Sequence, residues 1–458
     1  MTRPTIVWLR DDLRIADNPA LHEAVGRDAP VIVVYLLDEE SEGFRAHGSA
    51  SRWWLHHSLS ALAADLEARG AHLTLRRGPA LREIPKIVSE TDASGVLWNR
   101  RYGGAARDVD AALKTQLRAD GIDAQSFQAG LLHEPWTVQT ADGRPFRVFT
   151  PFWKSCLSKS EPRHPYPAPT AIDGAPAPAS DDLAAWKLLP TNPDWAAGLR
   201  ESWEPGETAA LKQLHDFVHG DLEHYQAHRD EPAVDATSRL SPRLRWGEVS
   251  PYQVWHSARH DTVPPAQAKN AAAFLREIGW REFNYNILFH FTDLATKNFR
   301  PDFDAFPWEG PDRAELKAWQ TGNTGIPLVD AGMRELWHTG VMHNRVRMIT
   351  ASFLIKNLLI DWRIGEAWFW DTLVDADDAN NPANWQWVAG SGADAAPYFR
   401  IFNPVLQADK FDKAGAYQRR WIPELESGGY PEPIIDLKAS RQGALDAYEA
   451  VKRAAVPR

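Results

Sequence analysis

The chain has little sulfur: one cysteine, Cys156, and four methionines in 458 residues. A single cysteine excludes an internal disulfide framework and any zinc or iron–sulfur centre built from several thiolates. No apolar run approaches the roughly 20 residues that a membrane-spanning helix requires. Met1–Trp8 runs directly into a strand pattern, so no secretory leader is expected. A Gly-x-Gly-x-x-Gly turn is also missing. The first strand is followed by Arg10-Asp11-Asp12-Leu13-Arg14, which argues against a Rossmann dinucleotide site there. A cytoplasmic, monomeric protein without a metal centre is expected. The net charge of −10 argues against uniform affinity for nucleic acid. A local basic face stays possible, because phosphate binding depends on where Lys and Arg cluster.

Tryptophan, by contrast, is abundant, with 21 residues. A buried indole N–H needs a partner, so packing alone does not call for so many. Indole can also lose an electron and pass the hole to a neighbouring indole. Most of the 21 read as core filling. Trp308, Trp362 and Trp385 read as a conduit to a redox cofactor, the last within Asn380-Asn381-Pro382-Ala383-Asn384-Trp385-Gln386-Trp387.

A chain of this length should form two or more domains. The first third alternates strand and helix patterns. Strands are predicted at Thr5–Leu9, Val31–Leu37, His72–Leu75, Gly95–Trp98 and near Ser126–Leu132, with helices over Trp53–Arg69 and Ala105–Arg118. That alternation predicts a parallel, doubly wound sheet covered on both faces, over residues 1–132. A linker wrapping between domains is expected over 133–205, its Pro/Ala-rich part beginning near residue 160. From 206 to 458 the apolar periods are helical, as in Leu211, Leu214, His215, Val218. A large all-α domain is expected there.

Four segments carry chemistry. Ala236-Thr237-Ser238-Arg239-Leu240-Ser241-Pro242 offers hydroxyls and a helix start, which can hold phosphate or simply cap a helix. Gly247-Glu248-Val249-Ser250-Pro251 repeats the Ser-Pro start without phosphate character. Glu277, Trp280 and Arg281 share one helix face, which suits a nucleobase or an ordinary ion pair beside a core Trp. Asn344, Arg347 and Met348 share another face, where a polar ring could sit. Asp375–Asn381 is either an Asx-rich turn or the polar lining around a heterocycle.

Thr237–Pro242, Glu277–Phe283, Met342–Met348, Asp375–Asn381, Trp385-Gln386-Trp387 and residues 394–404 follow in one collinear order. They resemble the signature blocks of the cryptochrome/photolyase family. Arg10–Leu21 and Phe149–Lys154 resemble its N-terminal domain, and the similarity runs from about residue 5 to 430. The closest resemblance is to bacterial cyclobutane pyrimidine dimer photolyases of class I or class III. His343-Asn344 with Met348 is similar to dimer photolyases, whereas (6-4) enzymes place a catalytic histidine at the Asn344 position. Asn381 stands where plant cryptochromes carry Asp. No long signalling tail is expected after the homologous core.

The resemblance implies light-driven dimer repair by electron transfer from excited reduced FAD, with photoreduction through a Trp relay. A blue-light photoreceptor and a (6-4) photolyase are the alternatives. It implies that Tyr225, Arg229, Thr237, Ser238, Arg239, Leu240 and Ser241 hold the FAD phosphates and adjoining parts. Arg347, Asp375, Asp377 and Asn381 would surround the isoalloxazine and ribose. Glu277, Trp280, Asn344, Arg345, Met348, Trp387 and Arg400 would meet UV-damaged DNA, with Glu277, Asn344 and Asn381 catalytic. Glu277 is expected to be partly protonated by burial beside Trp280. Ala105-Ala106 replaces the Asn-Glu that holds a folate antenna in class I members. An antenna chromophore, methenyltetrahydrofolate rather than a deazaflavin, is instead expected near Glu39, Glu40 and Tyr398.

Overall fold

The computed structural model describes residues 2–259, 262–310, 313–395 and 399–455. Five strands form one parallel sheet in the order β3-β2-β1-β4-β5. They are β1 (Thr5–Leu9), β2 (Val31–Leu37), β3 (Leu73–Arg77), β4 (Gly95–Asn99) and β5 (Asp123–Phe127). Helices α1 (Pro19–Val25), α2 (Ser49–Glu67), α3 (Ala80–Thr91) and α4 (Gly104–Ala119) alternate with them. Side chains leave a strand on alternating faces, and the sheet divides accordingly. Val7, Leu9, Val31, Val33 and Tyr35 pack with α1 and α2. Ile6, Trp8, Ile32, Val34 and Val96 pack with α3 and α4. The expected doubly wound sheet is therefore present.

The last strand lies earlier than the expected Ser126–Leu132. β5 is Asp123–Phe127 and pairs only with β4. As an edge strand it carries Asp123, Gln125 and Ser126, so the hydrophobic run that marks inner strands is missing from it. The predicted apolar stretch beyond it turns away to meet the helical part, where Tyr252 donates its hydroxyl to the Leu131 carbonyl at 2.9 Å.

The connector runs back along the sheet. Ile172 N–H donates to the Arg69 carbonyl, and Val31 and Ala175 exchange bonds with residues 173 and 31. It also holds the α5 helix, Phe149–Leu157. Beyond it the structure is helical, including Ser241–Arg245, Pro251–Ser257, Ala268–His290, Pro327–Thr339, Asn344–Ser352, Trp362–Thr372 and Asn380–Ala389. One helix-start expectation holds: Ser250 and Gln253 form a reciprocal capping box. The other does not. No side chain caps the Ser241–Arg245 helix, because the capping position falls on the apolar Leu240, while the Ser241 hydroxyl, one residue inside the helix, donates to Asp375.

Candidate active site

A cavity of about 890 Å³ opens within the helical part, a size typical of cofactor and substrate sites. Its walls come from residues 225–245, the Ala268–His290 helix, the Asn344–Ser352 helix and the turn leading into the Asn380–Ala389 helix. Segments from Glu201 to Trp421 thus converge, including all four of the chemistry-bearing segments.

Arg347 and Asp375 form the charged centre. Asp375 accepts the two terminal nitrogens of Arg347 at 3.1 and 2.7 Å and the Ser241 hydroxyl at 2.6 Å. This is the planar fork-to-carboxylate geometry that fixes both partners. Arg347 Nε also donates to the Met342 carbonyl at 2.7 Å, which orients the guanidinium. Ser241 is therefore engaged with Asp375. Thr237, Ser238 and Arg239 remain along the same wall, beside Leu240 and Tyr225. Arg239 has φ +49°, a left-handed conformation that a non-glycine residue rarely adopts. Its exposed guanidinium lies 4.5 Å over the Trp203 ring.

Asp377 lines the cavity, yet its carboxylate accepts Ala379 N–H at 2.8 Å and the Asn380 side-chain amide at 2.7 Å. It thereby starts the Asn380–Ala389 helix, so the turn and lining readings both apply. Asn381 donates its amide to the Glu366 carbonyl at 3.1 Å and to Glu366 Oε1 at 2.7 Å. Glu366 is in turn held by Arg45 of the sheet domain at 2.8 and 3.0 Å. The amide nitrogen of Asn381 is thus occupied, and its oxygen remains as the acceptor.

Glu277, Trp280, Asn344, Met348 and Trp387 all line the cavity. Glu277 is held by a partner on the cavity wall. It is one-third exposed and its Oε1 receives Arg229 Nη1 at 2.6 Å. Arg229, expected among the phosphate-holding residues, is engaged with Glu277 and lies over the Tyr225 ring. Arg281 is anchored too, donating to the Gly130 carbonyl at 2.7 Å. Arg345 and Arg400 stand outside the cavity wall. Arg345 pairs with Asp230 at 2.8 Å, and Arg400 lies 5.3 Å over the Trp387 ring.

Of the three relay candidates, Trp385 lines the cavity and Trp362 is fully buried, its indole N–H donating to Asn298 at 2.9 Å. Trp308 is half-buried in a loop, 4.3 Å from the Phe306 ring. Gly365, one turn beyond Trp362, lets the helices meet: a Cβ there would come within 2.2 Å of the Trp385 ring. Trp319, also fully buried, meets Trp385 edge-on at 6.2 Å.

Several residues were not signalled locally. Glu335, on a helix of ordinary pattern, lines the cavity and accepts Tyr417 O–H at 2.6 Å and His343 N–H at 3.2 Å. Burial pushes its carboxyl up. Burial pulls the His343 imidazole down to about 4, so it is neutral. Arg45 and Glu366 carry no motif, being 321 positions apart. Glu39 and Glu40 follow β2, apart from the cavity. The Glu39 carboxylate already engages Arg52 at 2.5 Å and Arg77 at 3.5 Å. Tyr398 lies outside the described residues.

The residues present suit a flavin dinucleotide. The cavity offers cationic and hydroxyl groups, a buried carboxylate paired with a part-exposed guanidinium, and an amide, and it is large enough to enclose both halves. The family pattern described as DNA photolyase matches residues 5–170, and that described as FAD binding domain of DNA photolyase matches residues 274–429. The chain belongs to the photolyase/cryptochrome family. A deoxyribodipyrimidine photo-lyase of Agrobacterium fabrum is 50% identical over 99% of each chain. The crystal structure of a bacterial class III photolyase from Agrobacterium tumefaciens superposes with a TM-score of 0.94, at 50% identity, covering 99% of this chain and 98% of that one. A Synechocystis cryptochrome superposes with a TM-score of 0.86, at 30% identity, covering 98% and 99%. Within this family the 274–429 segment is the FAD-binding domain. Among the described residues, no helix is long and apolar enough to cross a membrane.

Proposed function

We propose that the protein repairs cyclobutane pyrimidine dimers in DNA with light, as a class III-like photolyase. The observation that carries this is one cavity shared by two sets of groups. Arg239, Arg347, Asp375 and Asn381 suit the cofactor, while Glu277, Trp280, Asn344, Met348 and Trp387 suit a flat, polar, extruded lesion. Bound FAD, reduced and light-excited, would supply the electron that opens the cyclobutane ring. Every other contribution comes from the chain. The damaged nucleotide would be flipped out of the helix into this cavity, a step made cheaper by the stacking that the lesion has already lost. Trp280 and Trp387 offer flat faces to the extruded pyrimidines. Glu277, held by Arg229, accepts an imide N–H, and the Asn344 amide can donate and accept. Arg347, Asp375 and Ser241 would hold the cofactor, and the Asn381 oxygen, left free by the bond of its amide nitrogen to Glu366, would be available to accept an N–H from it.

Trp385, Trp362 and Trp308 form the relay in that order, from the cavity to the half-buried loop. The contact between Trp385 and the Trp362 helix at Gly365 supports it. A folate-class antenna is proposed near Glu40, since Glu39 is already ion-paired. The domains are taken as 1–132, a 133–205 linker and 206–458.

The test is light-dependent loss of dimers from UV-irradiated oligo(dT), using purified protein with chemically reduced flavin. Loss under blue light and none in the dark is expected. No loss in light would favour the alternative reading, a cryptochrome-like blue-light photoreceptor. Loss of (6-4) products instead would reassign the lesion. The spectrum of extracted chromophores tests FAD and the antenna separately.

A further inference from the structure

Trp280 is not a free flap in the cavity wall. Its ring stacks on Phe149 with centroids 3.8 Å apart and planes 8° from parallel. Phe149 is buried behind the wall, at the first turn of α5, in the segment connecting sheet and helical parts. Trp153 continues the stack on Phe149 at 6.4 Å and 13°. Gly279 makes room for it: a Cβ there would come within 2.7 Å of the Trp153 ring. Phe283 closes the edge, lying T-shaped to Phe149 at 6.0 Å and to Trp280 at 5.8 Å. Phe149 is itself fixed. Asp394 N–H donates to the Arg147 carbonyl at 3.1 Å, two residues before Phe149. Asp394 belongs to the loop that follows the helix bearing Trp387, the second flat face of the cavity.

We propose that Phe149 is a positioning residue for lesion recognition: it covers one face of Trp280 and sets the ring plane, so that the other face meets a pyrimidine in the cavity. The inference rests on reading the cavity as the dimer-binding site. An indole free to turn about two side-chain bonds would have to be ordered when the lesion arrives. Holding it beforehand removes that cost from binding. Offset aromatic pairs supply about enough stabilisation to change affinity three- to ten-fold. The effect should fall on dimer-containing DNA and not on undamaged strands, which do not enter the cavity.

The experiment measures dark binding of the FAD-loaded protein to oligo(dT) with and without one cyclobutane dimer. The parent is compared with Phe149→Leu, Phe149→Tyr, Trp280→Leu and the Phe149→Leu/Trp280→Leu double variant. FAD content and thermal midpoint report folding. If Phe149→Leu does not fold, Phe149→Met is the ring-free variant. Phe149→Leu should lose about three- to ten-fold in affinity for the dimer and almost nothing for undamaged DNA. Phe149→Tyr keeps the flat face and should discriminate close to the parent. In the Trp280→Leu background, removing the Phe149 ring should have no further effect. Parental discrimination by the ring-free variant, with Trp280→Leu impaired, would overturn the role of Phe149 alone. An equal, additive loss in both backgrounds would overturn it as well. Parental discrimination by Trp280→Leu would overturn this role together with the reading of the cavity.

Discussion

Glu248 offers the most quantitative test of how the site is held. It is completely buried, as is Arg243 apart from 3% of its side chain. Its carboxylate accepts Arg243 Nη1 at 2.8 Å, the Trp54 indole N–H at 2.9 Å and the Gly206 N–H at 2.8 Å. Three elements meet on it: α2 of the sheet domain, the start of the helical part, and the helix that follows the Arg239 segment. Glu248→Ala would leave three buried donors without this acceptor. Removing one partner of a buried pair typically costs about 3–5 kcal/mol, because the other charge stays buried. Arg243 keeps the Glu204 carbonyl at 2.9 Å and Gln213 at 3.2 Å. The lower half of that range, about 3–4 kcal/mol, therefore applies. A 458-residue chain unfolding as one unit has an unfolding entropy of about 1 kcal/mol/K. The thermal midpoint should accordingly fall by about 3–4 °C, read by calorimetry at neutral pH. Glu248→Gln keeps an acceptor for Trp54 and Gly206 and should lose about half as much. A drop under about 1 °C for Glu248→Ala would refute the argument that this pair is uncompensated when broken.

Trp308→Phe should fold, bind FAD and bind damaged DNA as the parent does, with photoreduction strongly slowed and repair by pre-reduced protein near normal. Unimpaired photoreduction would shift the current to another route, such as Trp319 beside Trp385. Asn381→Asp should destabilise the fully reduced flavin in anaerobic photoreduction, since a carboxylate facing Glu366 places two acids where an amide now donates at 2.7 Å; unchanged redox behaviour would count against it. Glu277→Ala should lower repair yield more than FAD content, by a contact worth about 1.5–3 kcal/mol. Wild-type quantum yield would make Glu277 a partner for Arg229 and no more. Lys356 is buried, donates to the Arg400 carbonyl and lies 4.3 Å over Phe399, and burial pulls its pKa down to about 7 from 10.5. The unfolded chain then binds the extra proton between those values, so this group makes stability rise with pH above about 7 and contributes a constant cost below it. Lys356→Met should flatten that rise in urea unfolding between pH 7 and 9, and an unchanged slope would disprove the assignment.

The sequence alone determined the periods. Unbroken runs such as Val31–Leu37 encode inner parallel strands, because both faces of such a strand are buried. It also determined which side chains share a helix face, since a helix fixes the direction of Asn344, Arg347 and Met348 within two turns. The same local rule failed at the edge strand β5, whose polar composition carried no strand signal. It failed again at Ser241, whose hydroxyl is claimed by a carboxylate 134 positions away. Only tertiary structure decided the partners. Glu248 sat in a segment that read as an ordinary helix start, and it became a junction because Trp54, Gly206 and Arg243 converge on it. Asn381 is oriented through Glu366 by Arg45, and Trp280 by Phe149. Backbone geometry propagates over a few residues, so local patterns reveal elements and faces. The charge, tilt and hydrogen bonding of a side chain depend on groups hundreds of positions away, and these meet only when the chain has folded.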